Sequence, residues 1–269
     1  MIEYKERKLL NSGMCSTAYV LDGKYIQLVG KRDDSYEIYK DLKSNADLLE
    51  GKIRCVDYPK NMILIERCDE YPFGCLVYPI VKGVPLKADN LNDGNINMIV
   101  SKLIDFDEEL HNSDIHWDRN QSINHEMEKV RKNIDLLRGY ITEEEINFLK
   151  KYENLFSEYL NSKKKFCITH GDLWADNLIV DQNNNLTGII DFGNMAYFLP
   201  EVDYASLWDI KEGFLDKMVK ESREDITKES VNLFILHREL CFFEYVLGLG
   251  SKEISSQLEK IRMAISLLN

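Results

Sequence analysis

His170-Gly171-Asp172 precedes Asn177 by a short loop, and Asp191-Phe192-Gly193 follows fourteen positions after Asn177. Two apolar runs, Leu178–Val180 and Leu186–Ile190, flank Asp181-Gln182-Asn183-Asn184-Asn185, a stretch of turn-forming residues. The spacing predicts an antiparallel hairpin in which Asn177 and Asp191 face each other, or nearly so, at the open end. A carboxylate and an amide with no His or Cys between them offer oxygen donors only. That set suits Mg²⁺, which keeps waters and binds substrate phosphates. Asp172 lies five residues before Asn177, on the loop leading to the same end. It is placed to face a metal-bound phosphate without ligating the metal.

The rest of the chain supplies the frame for this hairpin. The 269 residues are 44% hydrophobic and 30% charged, in the range of ordinary globular chains. They suffice for one large domain or two small ones. Up to Gly83-Val84-Pro85 the pattern is of short strands: Leu9–Leu10, an Asp22-Gly23 hairpin turn, Lys24–Gly30, Met62–Ile65 and Gly74–Val81. One helix, Ser35–Leu49, interrupts them, with Ile38, Leu42, Ala46 and Leu49 on one side. Beyond that point helices dominate. Ile96, Ile99, Leu103, Phe106 and Leu110 recur at helical spacing, and Thr142 with Glu145 forms a capping-box pattern. Further helices are expected over 204–219, 230–247 and 253–268, with Trp208 and Phe242 as core residues.

The net charge of -12 argues against nucleic acid as a partner. The excess is uneven: Phe166–Ile210 holds seven carboxylates and no Lys or Arg, the profile of a metal site or of a pocket for a cationic ligand. No apolar run is long enough to span a membrane, and the first residues lack an apolar signal core. The six cysteines form no CxxC pair. The chain is therefore expected to be cytoplasmic, with reduced thiols and without membrane partners.

The joint pattern H-G-D-x-x-x-x-N and D-F-G resembles the catalytic loop and metal motif of kinases. Trp174 stands where protein-serine kinases carry a lysine, and only a few residues separate Asp191-Phe192-Gly193 from Pro200-Glu201-Val202-Asp203-Tyr204. That shortened form resembles the aminoglycoside phosphotransferase family of small-molecule kinases. Leu186–Gly193, L-T-G-I-I-D-F-G, is most similar to the aminoglycoside 2''-phosphotransferases. Leu76–Leu86 resembles the family's hinge strand and its I-x-G-x-P-L ending, and Leu103–His111 its L-x-x-L-H helix.

The resemblance implies an α+β, two-lobed protein-kinase-like fold. Residues 1–86 would form a small antiparallel-sheet nucleotide-binding lobe, and 87–269 a large, mainly helical lobe with the catalytic loop and the acceptor site. It implies a phosphotransferase that uses ATP or GTP with Mg²⁺ on a hydroxyl of a cationic small molecule, foremost an aminoglycoside. A choline-like or macrolide kinase and a catalytically weak kinase-like protein are the alternatives. Asp172 would be the catalytic base, Asn177 and Asp191 the metal ligands, and His170 a brace for the loop. Backbone groups near Tyr78 and Ile80 would meet the purine edge. Ser16 and neighbouring amides of Gly13–Thr17 would cover the phosphates. The family's phosphate-binding lysine has no obvious counterpart: Gln27 stands near its place, Lys31 lies four residues on, and its helix partner would be Glu37 or Asp41. Asp176, Glu201, Asp203 and Glu239 would offer negative charge to the acceptor. A monomer and a homodimer are equally consistent with the sequence.

Overall fold

The computed structural model of the protein describes residues 3–13, 15–163 and 165–269. Met14, inside the expected phosphate-covering loop, lies outside the described residues. By its contacts the chain divides into two compact units, Met1–Glu109 with Trp174–Met195, and Leu110–Leu173 with Ala196–Asn269. The sequence break at residue 86 falls inside the first unit, where Val84 and Pro85, just before that break, pair with Val180 and Ile179 of the carboxylate-bearing hairpin.

In the first unit β1 (Arg7–Ser12), β2 (Ser16–Leu21), β3 (Tyr25–Gly30), β4 (Ile63–Ile65) and β5 (Cys75–Pro79) form one antiparallel sheet in the order β1-β2-β3-β5-β4. Asp22 and Gly23 both adopt positive φ, 50° and 65°, and Lys24 N donates to Leu21 O at 2.9 Å. This is the primed turn that matches strand twist. Helix α1 (Ser35–Leu48) buries Tyr39, Leu42, Asn45 and Ala46.

A second sheet in this unit runs β6 (Val84–Pro85), β8 (Leu178–Val180) and β9 (Leu186–Ile189). Asp181 closes the β8–β9 turn, its Oδ1 accepting from Asn183 N at 2.8 Å and Asn185 N at 2.9 Å. Gly188 is required by close approach: a Cβ there would sit 2.2 Å from Val81 Cγ1.

The second unit is helical, with one short antiparallel pair, β7 (Cys167–Thr169) and β10 (Ala196–Phe198). Its full helices are α3 (Arg119–Leu136), α4 (Glu143–Ser162), α5 (Glu201–Ala205), α6 (Phe214–Glu221), α7 (Lys228–Val246) and α8 (Ser251–Ser266); α2 (Asp93–His111) enters it at its last residues. The Thr142–Glu145 capping box forms with both bonds made, 2.7 and 3.2 Å, a device worth about 1 kcal/mol. Residues 231–237 of α7 are buried without a break, and Phe234, Leu236, Leu240 and Phe243 are fully buried, as expected of a helix at the centre of the unit.

The helix expected over 204–219 is instead two, α5 and α6. Gly213, at φ 76°, sits immediately before α6 in a left-handed conformation that a continuous helix cannot contain. Phe242, expected in the core, is exposed and packs on Tyr245 with ring centroids 4.8 Å apart. No helix among the described residues is long and apolar enough to cross a membrane. All six cysteines are free of disulfides.

Candidate active site

The metal-type residues lie in the first unit. Leu178 pairs with Ile189, and Ile190 N donates to Asn177 O at 3.0 Å, so Asn177 stands opposite Ile190 and Asp191 follows one residue on. The register thus differs by one from a direct Asn177–Asp191 pairing, and both residues sit at the same end of the hairpin. Asp191 compensates by turning sharply. It holds φ 66°, ψ 64°, a left-handed conformation, and its carboxylate accepts from Gly193 N at 3.4 Å. A non-glycine residue in that region carries strain, and the neighbouring packing holds it there. Phe192 is fully buried with edge-on contacts to Tyr58 and Phe106, and Asn45 Nδ2 donates to Phe192 O at 2.8 Å. Periodicity does not single out Asn45, because a buried amide on an apolar helix face reads as an interruption. Asn177 is 5% exposed, whereas Asp191 and Asp176 are exposed.

The sheet face near these residues is set by register. Ser16, Ala18 and Val20 pair with Gly30, Leu28 and Ile26, and directly paired residues share a face. Tyr39 of α1 donates its hydroxyl to Ser16 Oγ at 2.8 Å, so this face looks at α1. Tyr78, paired with Ile26, shares it. Burial, then the nearby Asp191 and Tyr39, push the Tyr78 phenol well up.

Gln27 falls on the opposite face, 2% exposed, with Nε2 donating to Tyr71 Oη at 3.1 Å. It does not fill the phosphate-lysine position, and the β3 residue facing α1 between Ile26 and Gly30 is Leu28. Lys31 lies just past the strand end. Its ammonium reaches Gly13 O at 2.7 Å and Ser12 Oγ at 3.3 Å, on the approach to the expected phosphate-covering loop. Glu37 sits 3.6 Å from Lys40, and Asp41 is exposed.

Near Tyr78 and Ile80 the strand's hydrogen bonding sets which backbone groups are turned outward. Ile80 N donates to Lys24 O at 2.8 Å, so that amide is turned toward β3. Antiparallel alternation then directs the Pro79 carbonyl and the Val81 amide to the opposite edge.

Asp172 lies in the second unit, in a loop held from below. Its amide donates to His170 Nδ1 at 3.2 Å. Gly171, at φ 79°, makes the turn between them. The amides of His170 and Gly171 both donate to Asp203, at 2.9 Å to Oδ2 and 2.7 Å to Oδ1. His111 Nε2 lies 3.1 Å from Asp203 Oδ2, and His111 Nδ1 is 3.7 Å from Glu224, an ion-pair contact longer than a hydrogen bond. His111 and then Lys165 hold the Glu224 carboxyl down to about 2, against the opposing effect of burial.

Three of the expected acceptor carboxylates have structural occupations instead. Asp203 is fully buried and clamps the loop. Glu201 is 2% exposed, accepts from the Tyr159 hydroxyl and lies 3.8 Å from Lys163. Glu239 is fully buried; its Oε1 accepts from Trp208 Nε1 at 2.9 Å and Arg238 at 2.5 Å, and its Oε2 from Gln257 Nε2 at 2.8 Å. Buried carboxylates need such partners, and a sequence does not reveal where those partners come from.

Residues 50–226 match the family model described as the phosphotransferase enzyme family. The protein belongs to this family and is a small-molecule phosphotransferase. Among solved structures it is similar to APH(2")-IIia in its complex with GDP and kanamycin, at 20% identity and a TM-score of 0.80, over 98% of this chain and 94% of that one. It is also similar to the choline kinase LicA from Streptococcus pneumoniae, at 14% identity and a TM-score of 0.70, over 99% and 94%. A macrolide 2'-phosphotransferase type I matches at 12% identity and a TM-score of 0.67, over 98% and 91%. The fold is thus the α+β kinase-like one, an N-terminal antiparallel sheet followed by a mostly helical part.

Proposed function

We propose that the protein transfers the terminal phosphoryl group of ATP or GTP to a hydroxyl of a cationic small molecule, an aminoglycoside first among candidates. The observation that carries this reading is Asp191: an exposed carboxylate held in a left-handed turn beside a buried Asn177, with no Lys or Arg in the segment Phe166–Ile210. An oxygen-only pair of this kind fits Mg²⁺. Asn177 and Asp191 would hold the ion, which when bound neutralises charge on the nucleotide phosphates.

In this reading residues 1–86 form the nucleotide lobe and 87–269 the acceptor lobe. Ser16 and the amides around it cover the phosphates, and Lys31, at the root of that loop, supplies positive charge there. The Pro79 carbonyl and Val81 amide, between and beside Tyr78 and Ile80, meet the purine edge. Asp172 accepts the proton of the attacking hydroxyl, in a loop whose backbone Asp203 keeps in place. Exposed Asp176, whose carboxylate is not buried like those of Glu201, Asp203 and Glu239, offers negative charge to the acceptor. Such a protein works in the cytoplasm, where nucleotide and Mg²⁺ are plentiful.

A second reading has a specific observation behind it. Leu28 on the α1-facing side of β3, with Gln27 turned away, leaves that strand without a phosphate-binding lysine, and this favours a slow or purely binding kinase relative. Turnover of ATP and of GTP with a panel of aminoglycosides, a macrolide and choline separates the cases. Turnover confined to cationic acceptors, weakening as salt screens charge over about 8 Å, supports the proposal. Turnover of choline alone or macrolide alone moves the acceptor class, and nucleotide binding without turnover on any of them favours the second reading.

A further inference from the structure

Away from the residues used above, the helical unit gathers a nitrogen, a sulfur and an oxygen around one point. His237 and Cys241 lie four apart on α7 and so share one helix face. Glu126 comes to them from α3. His237 Nε2 is 3.0 Å from Glu126 Oε2 and 3.6 Å from Cys241 Sγ, and all three atoms lie within 4.8 Å of one another.

A single proton on Nε2 can be directed at only one of these neighbours, and the Cys241 S–H is a weak donor, so hydrogen bonding engages these atoms only in pairs. A metal ion uses all three. Tetrahedral bonds of about 2.0–2.2 Å to nitrogen and oxygen and about 2.3 Å to sulfur place nitrogen and sulfur ~3.6 Å apart, and nitrogen and oxygen ~3.4 Å apart. The observed separations are within a few tenths of an ångström of both. Lys129 holds the other oxygen, Glu126 Oε1, at 2.8 Å, which fixes the carboxylate with Oε2 toward the histidine. The imidazole is held by its surroundings as well, stacked on Phe156 at 5.0 Å and 24°. His237 is buried, while Glu126 and Cys241 are partly exposed, so the cluster has an entry path.

We propose that Glu126, His237 and Cys241 form a binding site for a Zn²⁺-class divalent cation that ties α3 to α7, with water in the fourth position. The mixed nitrogen, sulfur and oxygen donors select such an ion over Mg²⁺. The site is thereby chemically distinct from the oxygen donors Asn177 and Asp191. Binding would replace the thiol proton of Cys241 and stabilise the helical unit by mass action.

The test uses the full chain, stripped with chelator and held in excess Mg²⁺ so that oxygen-only sites are occupied. Co²⁺ is titrated as an optical probe, then displaced by Zn²⁺. The expected result is one equivalent of Co²⁺ with a thiolate-to-cobalt charge-transfer band, and slower alkylation of Cys241 by iodoacetamide once Zn²⁺ is present. Cys241→Ser should lose the band. Glu126→Gln, which keeps the thiol and the shape, should retain a band but bind Zn²⁺ at least about tenfold more weakly. Absence of the band in the unmodified protein, its persistence in Cys241→Ser, or Zn²⁺ affinity unchanged in Glu126→Gln would each overturn the site and leave a hydrogen-bonded Glu126–His237 pair. If Cys241→Ser does not fold, the Glu126→Gln titration and the alkylation rates decide alone.

Discussion

The carboxylates at the end of the β8–β9 hairpin and those of the helical unit have the same side-chain chemistry and opposite circumstances. Asp176 and Asp191 are exposed, and among the described residues Asp191 accepts a single long bond, from the next residue but one. Glu201, Asp203 and Glu239 are at most 2% exposed; Asp203 and Glu239 have both oxygens occupied by donors of the surrounding helices and loops, and Glu201 has its Oε1 occupied by the Tyr159 hydroxyl. A carboxylate that still has ligand capacity can serve a metal or a cation. A carboxylate whose lone pairs are spent on buried amides is part of the scaffold, and its charge is already compensated locally. Acidity in a segment therefore says little about its ligand until the partners are known.

The contrast is sharpened most by Asp203→Ala. Removing this carboxylate takes the acceptor from the His170 and Gly171 amides and the ion-pair partner from His111, and losing one partner of a buried pair typically costs about 3–5 kcal/mol. Denaturant unfolding should show a loss of that order, with turnover falling alongside because the loop carrying Asp172 is released. A loss below about 1 kcal/mol would place Asp203 among the carboxylates with capacity to spare.

Acid titration gives a smaller effect. Glu224 has its carboxyl lowered from 4.5 to about 2, first by His111. A lowered folded-state value means its stabilising contribution is complete above about 4.5 and is lost as pH falls toward about 2. Stability of the unmodified protein should decline through that window, and Glu224→Gln should flatten the decline. An unchanged acid limb in the variant would show that this group does not carry it.

The smallest stability effect is expected at Asp176→Asn, within about 0.5 kcal/mol as for an ordinary surface change. Its KM for a cationic acceptor should rise a few-fold while kcat is little changed. A large stability loss here would erase the distinction between the two sets.

Local pattern carried the reading where the determinants were close in sequence. The Asp22-Gly23 turn, the Thr142–Glu145 cap, helix α1 and the β8–β9 hairpin each depend on residues within one or two turns of chain. The chemistry-bearing motif was legible for the same reason. What was not legible depends on distant partners. Asp203 meets its amides across more than thirty residues, and nothing local marks it as a clamp. Strand β10 is three residues long and is defined by pairing with β7. Helix α3 buries Ile123, Met127, Val130 and Ile134 in an otherwise polar sequence, too sparse a stripe to stand out. The one-residue offset between Asn177 and Asp191 reflects strand register, which a turn centre estimated from composition fixes only to within a residue.

The division of labour between Asp172 and Asp191 is tested most directly by calorimetric titration of nucleotide, with and without Mg²⁺, into Asp172→Asn and Asp191→Ala, with turnover measured on the same samples. Asp172→Asn should bind nucleotide within a few-fold of the unmodified protein, keep the Mg²⁺ dependence, and lose about 10²- to 10⁴-fold in turnover, the usual range for a general base. Asp191→Ala should lose the Mg²⁺ dependence of binding itself. Metal-dependent affinity that survives in Asp191→Ala, or that disappears in Asp172→Asn, would contradict the account.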